Sequence, residues 1–157
     1  LTSIGQFGFQ VTPLQMLRAY GAIANGGKLL TPHLEKGEQG ASVEIDLDPE
    51  VLEIVREGMR EAVLDGTARS INRSDVAFAG KTGTAELGAS KAFVNTWVVG
   101  YVPYEEPKYV FILLMERGPR ANLFGAAPTM RGIIDWMAEH RPEYLGIEAE
   151  SEVVTTR

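Results

Sequence analysis

The chain has 157 residues, 45% of them hydrophobic, with 15 basic against 21 acidic side chains and a net charge of −6. That length and apolar fraction suit one domain around one sizeable core, and the acidic balance argues against a nucleic-acid partner, which calls for a basic face. The absence of cysteine excludes disulfides and thiolate metal sites while leaving the compartment open.

No apolar run approaches the roughly 20 residues of a membrane-spanning helix. The chain starts at Leu1 without a capped element, so its start reads as a cut, and residues 1–10 read as a loop or short approach segment. Thr12 as N-cap and Pro13 at the first helical position then open a helix. Its apolar positions are Leu14, Leu17, Ala19, Tyr20, Ala22 and Ile23, and Asn25 Gly26 Gly27 stop it. With only Gln15 and Arg18 polar in its middle, it reads as scaffold. Lys28 to Glu35 is short and apolar, and Pro32 limits it to an edge strand or an extended connection. His33, without a nearby serine or carboxylate, reads as structural or solvated. Lys36 to Ala41 is an exposed turn.

Asp48, Pro49 and Glu50 open a second helix whose apolar face runs through Val51, Leu52, Ile54, Val55, Met59, Ala62 and Val63 to Asp65 Gly66. The acidic group Glu44, Asp46, Asp48, Glu50 lacks the loop spacing and glycine of a calcium site, so it is a solvated face. After Gly66 Thr67 Ala68 and a polar connection comes Val76 to Glu86, then a strand over Phe93 to Tyr104. The apolar run Tyr109 to Met115 has the look of a strand buried on both faces. Three strands with short connections predict an antiparallel meander. A last helix covers Ala126 to His140, and Pro142 stops it; residues 141–157 read as a mobile polar tail. The expected architecture is helix, helix, three strands, helix, an α+β fold with an antiparallel sheet flanked by helices.

The chemistry concentrates in Gly80 Lys81 Thr82 Gly83 Thr84 Ala85 Glu86. A cation, two hydroxyls and a bare glycine at strand spacing give a sheet edge charge, donors and room for a ligand's backbone, which suits an anionic, peptide-like substrate. Lys-Thr-Gly is also a motif of penicillin-binding proteins and serine β-lactamases. By itself it is a weak signal, because three common residues recur by chance.

Four ordered segments strengthen it. Ser3 Ile4 Gly5 Gln6 with Val11 Thr12 Pro13 Leu14 Gln15 and Ala22 to Gly27, then Ala79 to Glu86, then Thr96 to Pro103, then Gly125 Ala126 Ala127 Pro128 together resemble the transpeptidase domain of class B penicillin-binding proteins. The resemblance covers residues 1–140 in the family's order. The Ser3 to Gln6 opening and Met115 Glu116 Arg117 Gly118 lean toward the elongation-type branch, penicillin-binding protein 2, over the division-type branch.

The resemblance implies a DD-peptidase/serine β-lactamase-like fold, of which residues 1–140 are the C-terminal part of the transpeptidase domain. It implies acyl transfer from D-alanyl-D-alanine stem peptides to an amine, and covalent capture by β-lactams. Lys81 would set its ammonium near the nucleophile and the substrate carboxylate. Thr82 and Thr84 would hydrogen-bond that carboxylate, Gly83 would keep the edge open, and the Thr84 N–H would be one of two oxyanion-hole donors. No metal and no cofactor enter. The implied partners are a membrane glycan polymerase and the N-terminal part of the same domain. The implied place is the extracytoplasmic face of the bacterial cytoplasmic membrane, held by an anchor outside this chain, with a role in cell shape.

One departure is clear: no serine in the chain begins a Ser-x-x-Lys. Ser70 Ile71 Asn72 matches Ser-x-Asn but stands just before Lys81, whereas the family places its triplet well upstream of the first helix, so it is a decoy. Covalent catalysis needs a nucleophile beside its base. The chain alone is therefore expected to be inactive, with its nucleophile in another segment. The competing possibilities are a β-lactam sensor or serine β-lactamase, for which no deacylating base can be assigned, and a non-catalytic interaction domain of the same fold.

Overall fold

Helix α1 (Pro13–Ala24) starts where the sequence predicts. The Gln15 amide donates to the Thr12 hydroxyl at 3.2 Å and the Thr12 amide donates to the Gln15 side chain at 2.8 Å, so two otherwise orphaned donors are satisfied reciprocally. At its other end the Asn25 side chain both accepts from and donates to the Lys28 backbone, each at 2.8 Å. Gly26 and Gly27 at φ 81° and 103° turn the chain there. The computed structural model describes residue 8 and residues 10–37, 40–122 and 124–147. The Ser3 to Gln6 segment lies outside them.

Beyond the turn, β1 (Lys28–Leu30) pairs antiparallel with β2 (Ser42–Glu44) as a small separate sheet, tied to α1 by Arg18 Nε donating to the Leu30 carbonyl at 2.8 Å. The edge strand expected near Lys28 is thus three residues long. Its exposed partner β2, with no alternation to betray it, is not predicted by the sequence. Helix α2 (Pro49–Leu64) is capped by Asp48, whose carboxylate accepts from the Glu50 amide at 2.9 Å. It buries Met59 and Val63.

The main sheet is the predicted meander, in the order β3 (Ala79–Leu87), β4 (Phe93–Val102), β5 (Tyr109–Pro119), all antiparallel. Ala24, Met59, Ala79 and Tyr101 pack together on the face covered by α1. On the other face Val63, Ile71, Phe78, Val98 and Val102 pack against Met130 and Ile134 of α3 (Ala126–His140). The sheet is therefore clad on both sides, as the α+β expectation requires. Gly100 makes the β3–β4 contact possible: a Cβ there would stand 2.2 Å from the Ala79 carbonyl oxygen and 2.7 Å from the Phe111 ring.

Polar clamps fix the layers. Arg56 of α2 donates to the carbonyls of Ala24 and Tyr104, both at 3.1 Å, joining α1, α2 and the end of β4. Arg73, just before β3, pairs with Asp75 at 2.6 Å and with Asp135 of α3, while Arg131 of α3 holds Asp135 at 2.7 Å and donates to the Asn72 carbonyl at 2.8 Å. The Arg73 hydrogen bond holds the Asp75 carboxyl below its usual range, and Arg131 first, then Arg73, does the same for Asp135.

Two expectations need correction. Residues 141–157 are not a mobile tail throughout. Pro142–Leu145 form a 3₁₀ turn, and Leu145, 1% exposed, fills a gap in the α3-side core. A single apolar side chain after a proline shows no period, so the sequence concealed it. Residues 148–157 lie outside the described residues. Nor is β5 buried on both faces among the described residues: there it has β4 as its one strand neighbour, its central residues are only half-buried, and Tyr109 is 42% exposed.

Leu145→Ala should lower unfolding stability by about 2–5 kcal/mol in urea titration, the cost of a cavity in a packed core; a change near zero would show that this turn does not belong to the core. The depressed Asp75 and Asp135 carboxyls stabilise the fold while ionised. That contribution is complete at neutral pH and is lost as pH falls below the ordinary aspartate range of about 4. Stability measured from pH 7 to pH 3 should fall, and Asp135→Asn should show a smaller drop than the parent protein over the same window.

Candidate active site

Strand β3 has one neighbour within its sheet, β4, and presents its other edge outward among the described residues. The unbroken register from Ala79↔Tyr101 to Leu87↔Phe93 fixes which side chains share a face. Lys81 and Gly83, opposite Val99 and Trp97, stand on the face that carries α1. Thr82 and Thr84, opposite Val98 and Thr96, stand on the face that carries α3. The ammonium and the hydroxyls therefore flank the open edge from its two sides.

Lys81 is exposed, and its Nζ donates to the Thr82 carbonyl at 2.7 Å, which holds the charge against the strand. Thr82 is half-buried and Thr84 exposed. Gly83 has room of its own: a Cβ would sit 3.6 Å from Trp97 Cβ, an ordinary contact. The fold does not demand glycine there, so the bare position leaves space for something that comes from outside the fold.

The strand is held firmly from behind. Thr96, 5% exposed and opposite Thr84, accepts from the Ala126 amide at 3.1 Å, which pins the start of α3 beneath the site. Arg60 of α2 donates to the Phe78 carbonyl at 2.9 Å, and the Tyr104 amide donates to the Ala77 carbonyl at 2.8 Å. Gly80 lies flat against Ile71 and the Val99 carbonyl, each 3.3 Å from where a Cβ would be.

A residue that the sequence did not single out joins the cluster. Thr67 Oγ1 lies 2.6 Å from Thr82 Oγ1. Its own position is fixed on both sides: a Cβ at Gly66 would be 2.7 Å from Ala62 Cα, and Ala68 is fully buried with its amide on the Ala62 carbonyl at 2.9 Å. The signal was present in Gly66 Thr67 Ala68 after a helix, but the contact spans 15 residues and has no local pattern.

Ser70 Ile71 Asn72 sits in a 3₁₀ turn with Ile71 in the core, and the carbonyls of Ser70 and Asn72 accept from Arg131 of α3 at 3.4 and 2.8 Å. That surrounding is structural. His33 is exposed, with its Nδ1 3.0 Å from the Glu35 carbonyl. Among the described residues no group of three or more His, Cys, Asp or Glu is gathered around a common point, and no helix is long and apolar enough to cross a membrane.

The model of the penicillin-binding protein transpeptidase domain matches residues 1–135. The chain belongs to this transpeptidase family. Within it the chain is like the class B enzyme penicillin-binding protein 2. The peptidoglycan D,D-transpeptidase MrdA of Haemophilus influenzae is 30% identical over 88% of this chain and 25% of its own length. The solved penicillin-binding protein 2 of Helicobacter pylori is 34% identical, with a TM-score of 0.69, over 88% of this chain and 26% of that one. A second structure, of the Helicobacter pylori protein in complex with MreC, gives 33% identity and a TM-score of 0.73 over the same shares. The transpeptidase segment described here spans about a quarter of the length of the curated relatives it matches.

Within the family frame, Thr67 is placed to set the direction of the Thr82 hydroxyl. In a protein that carries the complete domain, Thr67→Val should slow acylation by penicillin about three- to tenfold, the worth of one hydrogen bond, and Thr67→Ser should restore most of it. Equal rates for Thr67→Val and the parent protein would remove Thr67 from the site.

Proposed function

We propose that this chain supplies the Lys-Thr-Gly wall of a serine acyl-transfer site that cross-links peptidoglycan stem peptides and is acylated by penicillin. The observation that carries the proposal is the placement of Lys81, Thr82, Gly83 and Thr84 along the open edge of β3 in a chain of the transpeptidase family. An extended peptide can add to such an edge as a further strand, with main-chain hydrogen bonds for affinity.

Each residue then has a task. Lys81 brings a positive charge to the terminal carboxylate and the nucleophile's surroundings, where exclusion of water strengthens it. The hydroxyls of Thr82 and Thr84 donate to that carboxylate. The Thr84 N–H donates to the oxygen that becomes negative in the tetrahedral intermediate, one of two such donors. The serine nucleophile and its lysine come from a Ser-x-x-Lys outside this chain, in the N-terminal part of the domain. The donor is a D-alanyl-D-alanine stem peptide: its carbonyl carbon bonds to the serine oxygen as D-alanine leaves, and an amine then takes the acyl group.

By the same reading the protein works with a membrane glycan polymerase at the extracytoplasmic face of the bacterial cytoplasmic membrane. The site consists of residues 67 and 81–84 together with the missing nucleophile, and residues 1–140 form the C-terminal part of its domain.

Labelled penicillin tests the assignment. In a protein carrying the complete domain, Lys81→Ala should keep the fold by circular dichroism and lower the acylation rate by about 10²–10³-fold, the scale of losing a preorganised electrostatic group. Unchanged acylation would overturn the role of Lys81, and rapid release of the penicilloyl group would mark a β-lactamase instead.

A further inference from the structure

Helix α2 carries two apolar stripes, and the fold uses one of them. Leu52, Met59 and Val63 turn inward, and Met59 and Val63 are buried. Val51, Ile54, Val55 and Gly58 recur at i, i+3, i+4 and i+7, the spacing of a second helical face, and this one turns outward. Val51 is 55% exposed, Ile54 66% and Val55 39%. A scattered apolar side chain at a surface needs no explanation, whereas three gathered on one helix face point to a contact surface.

Gly58 stands in the interior of α2, where glycine is less favourable than alanine. A Cβ there would meet nothing within 4 Å, so packing inside the fold does not exclude a side chain. A bare position within the stripe instead permits a close approach from outside. Beside the stripe, Glu50, Glu53, Glu57 and Glu61 form an exposed acidic rail along the helix. Side chains three and four residues apart are neighbours on a helix, so these like charges repel one another. Among the described residues Glu50, Glu57 and Glu61 enter no ion pair, and Glu53 has only Arg56, at 3.9 Å. The rail therefore calls for cations that the fold itself does not bring to it.

These features select the occupant. A helix face has no row of unpaired backbone donors and acceptors, so an added strand would find no ladder to join. An apolar ridge with helical spacing fits such a stripe, and a glycine at the crossing lets two helices lie at the short end of the usual separation of about 8–10 Å. The glutamate rail asks for lysine or arginine flanking that ridge. An anionic lipid surface would be repelled by the rail, and a second copy running antiparallel would set rail against rail. The 16 residues of α2 span about 24 Å, room for about four turns of a partner helix.

We propose that the outer face of α2 docks a basic amphipathic helix of a partner protein, with the partner's apolar ridge on Val51, Ile54, Val55 and Gly58 and its cations along the glutamate rail. Fluorescence anisotropy on a protein carrying the complete domain tests it. Two probe peptides of about 16 residues each present leucine on one helical face and either lysine or glutamate on the other. The lysine peptide should bind saturably, about tenfold or more tighter than the glutamate peptide, and more weakly as salt rises. Ile54→Ser, Gly58→Gln and the double change Glu57→Gln with Glu61→Gln should each weaken it about fivefold or more. Labelling by fluorescent penicillin at the parent's level shows that each variant is folded. No saturable binding of the lysine peptide, equal binding of the two peptides, or variants that bind like the parent would overturn the proposal. So would an Ile54→Cys variant that a maleimide reaches only after unfolding, because the rest of the domain would then cover the face. Self-association in sedimentation that Ile54→Ser abolishes would also overturn it, since a second copy would then be the occupant.

Discussion

A strand at the edge of a sheet has a row of backbone donors and acceptors that its own sheet does not pair, and proteins ordinarily blunt such edges. Among the described residues strand β3 is left open over Lys81 to Thr84 and equipped with a cation, two hydroxyls and a glycine. The remainder of the fold can be understood as what keeps this edge straight and unshielded. Gly100 lets β4 lie against Ala79 and Gly80, and Gly80 in turn lies against Ile71. Thr96 takes the first amide of α3, and Arg60 takes the carbonyl of Phe78 just ahead of the strand. The stiffness of the edge thus comes from contacts made behind it, while in front the Lys81 ammonium rests on the Thr82 carbonyl and the Thr82 hydroxyl on Thr67. That division suits preorganised electrostatic stabilisation, which depends on dipoles that do not have to move when charge develops.

The polar clamps have a second effect. Arg73, Asp75, Arg131 and Asp135 tie the segment entering β3 to α3, and Thr67 ties the end of α2 to Thr82. Both α2 and α3 are thereby coupled to the motif through side chains a few residues from it. Buried apolar area holds the layers together without direction, whereas these directed bonds fix where along the sheet the helices sit.

Much of this was legible in the sequence, for local reasons. Thr12 with Gln15 and Asp48 with Pro49 are helix starts with a mechanism, and the structure shows their side chains on the amides they were expected to cap. The meander followed from three β-rich runs joined by short connections. The bounds of α3 were visible from Pro128 and Pro142. What the sequence hid was non-local. Strand β2 has three exposed residues and owes its existence to pairing with β1. Leu145 is a core residue because it reaches back beside Ile134, which no period near Pro142 announces. The half-burial of β5 reflects its having one strand neighbour among the described residues, which a continuous apolar run does not encode. At the candidate site, Lys81 to Thr84 could be read directly, while Thr67 depends on a contact across 15 residues.

The central claim is that the outer edge of β3 is where the acyl donor docks. A crystal structure of the complete domain, acylated by penicillin, tests it most directly. The account predicts the acyl carbonyl oxygen about 2.7–3.1 Å from the Thr84 amide nitrogen, with the penicillin carboxylate on the Thr82 and Thr84 hydroxyls and near the Lys81 ammonium. An acyl group directed away from β3, with its carbonyl and carboxylate held by residues elsewhere, would contradict it.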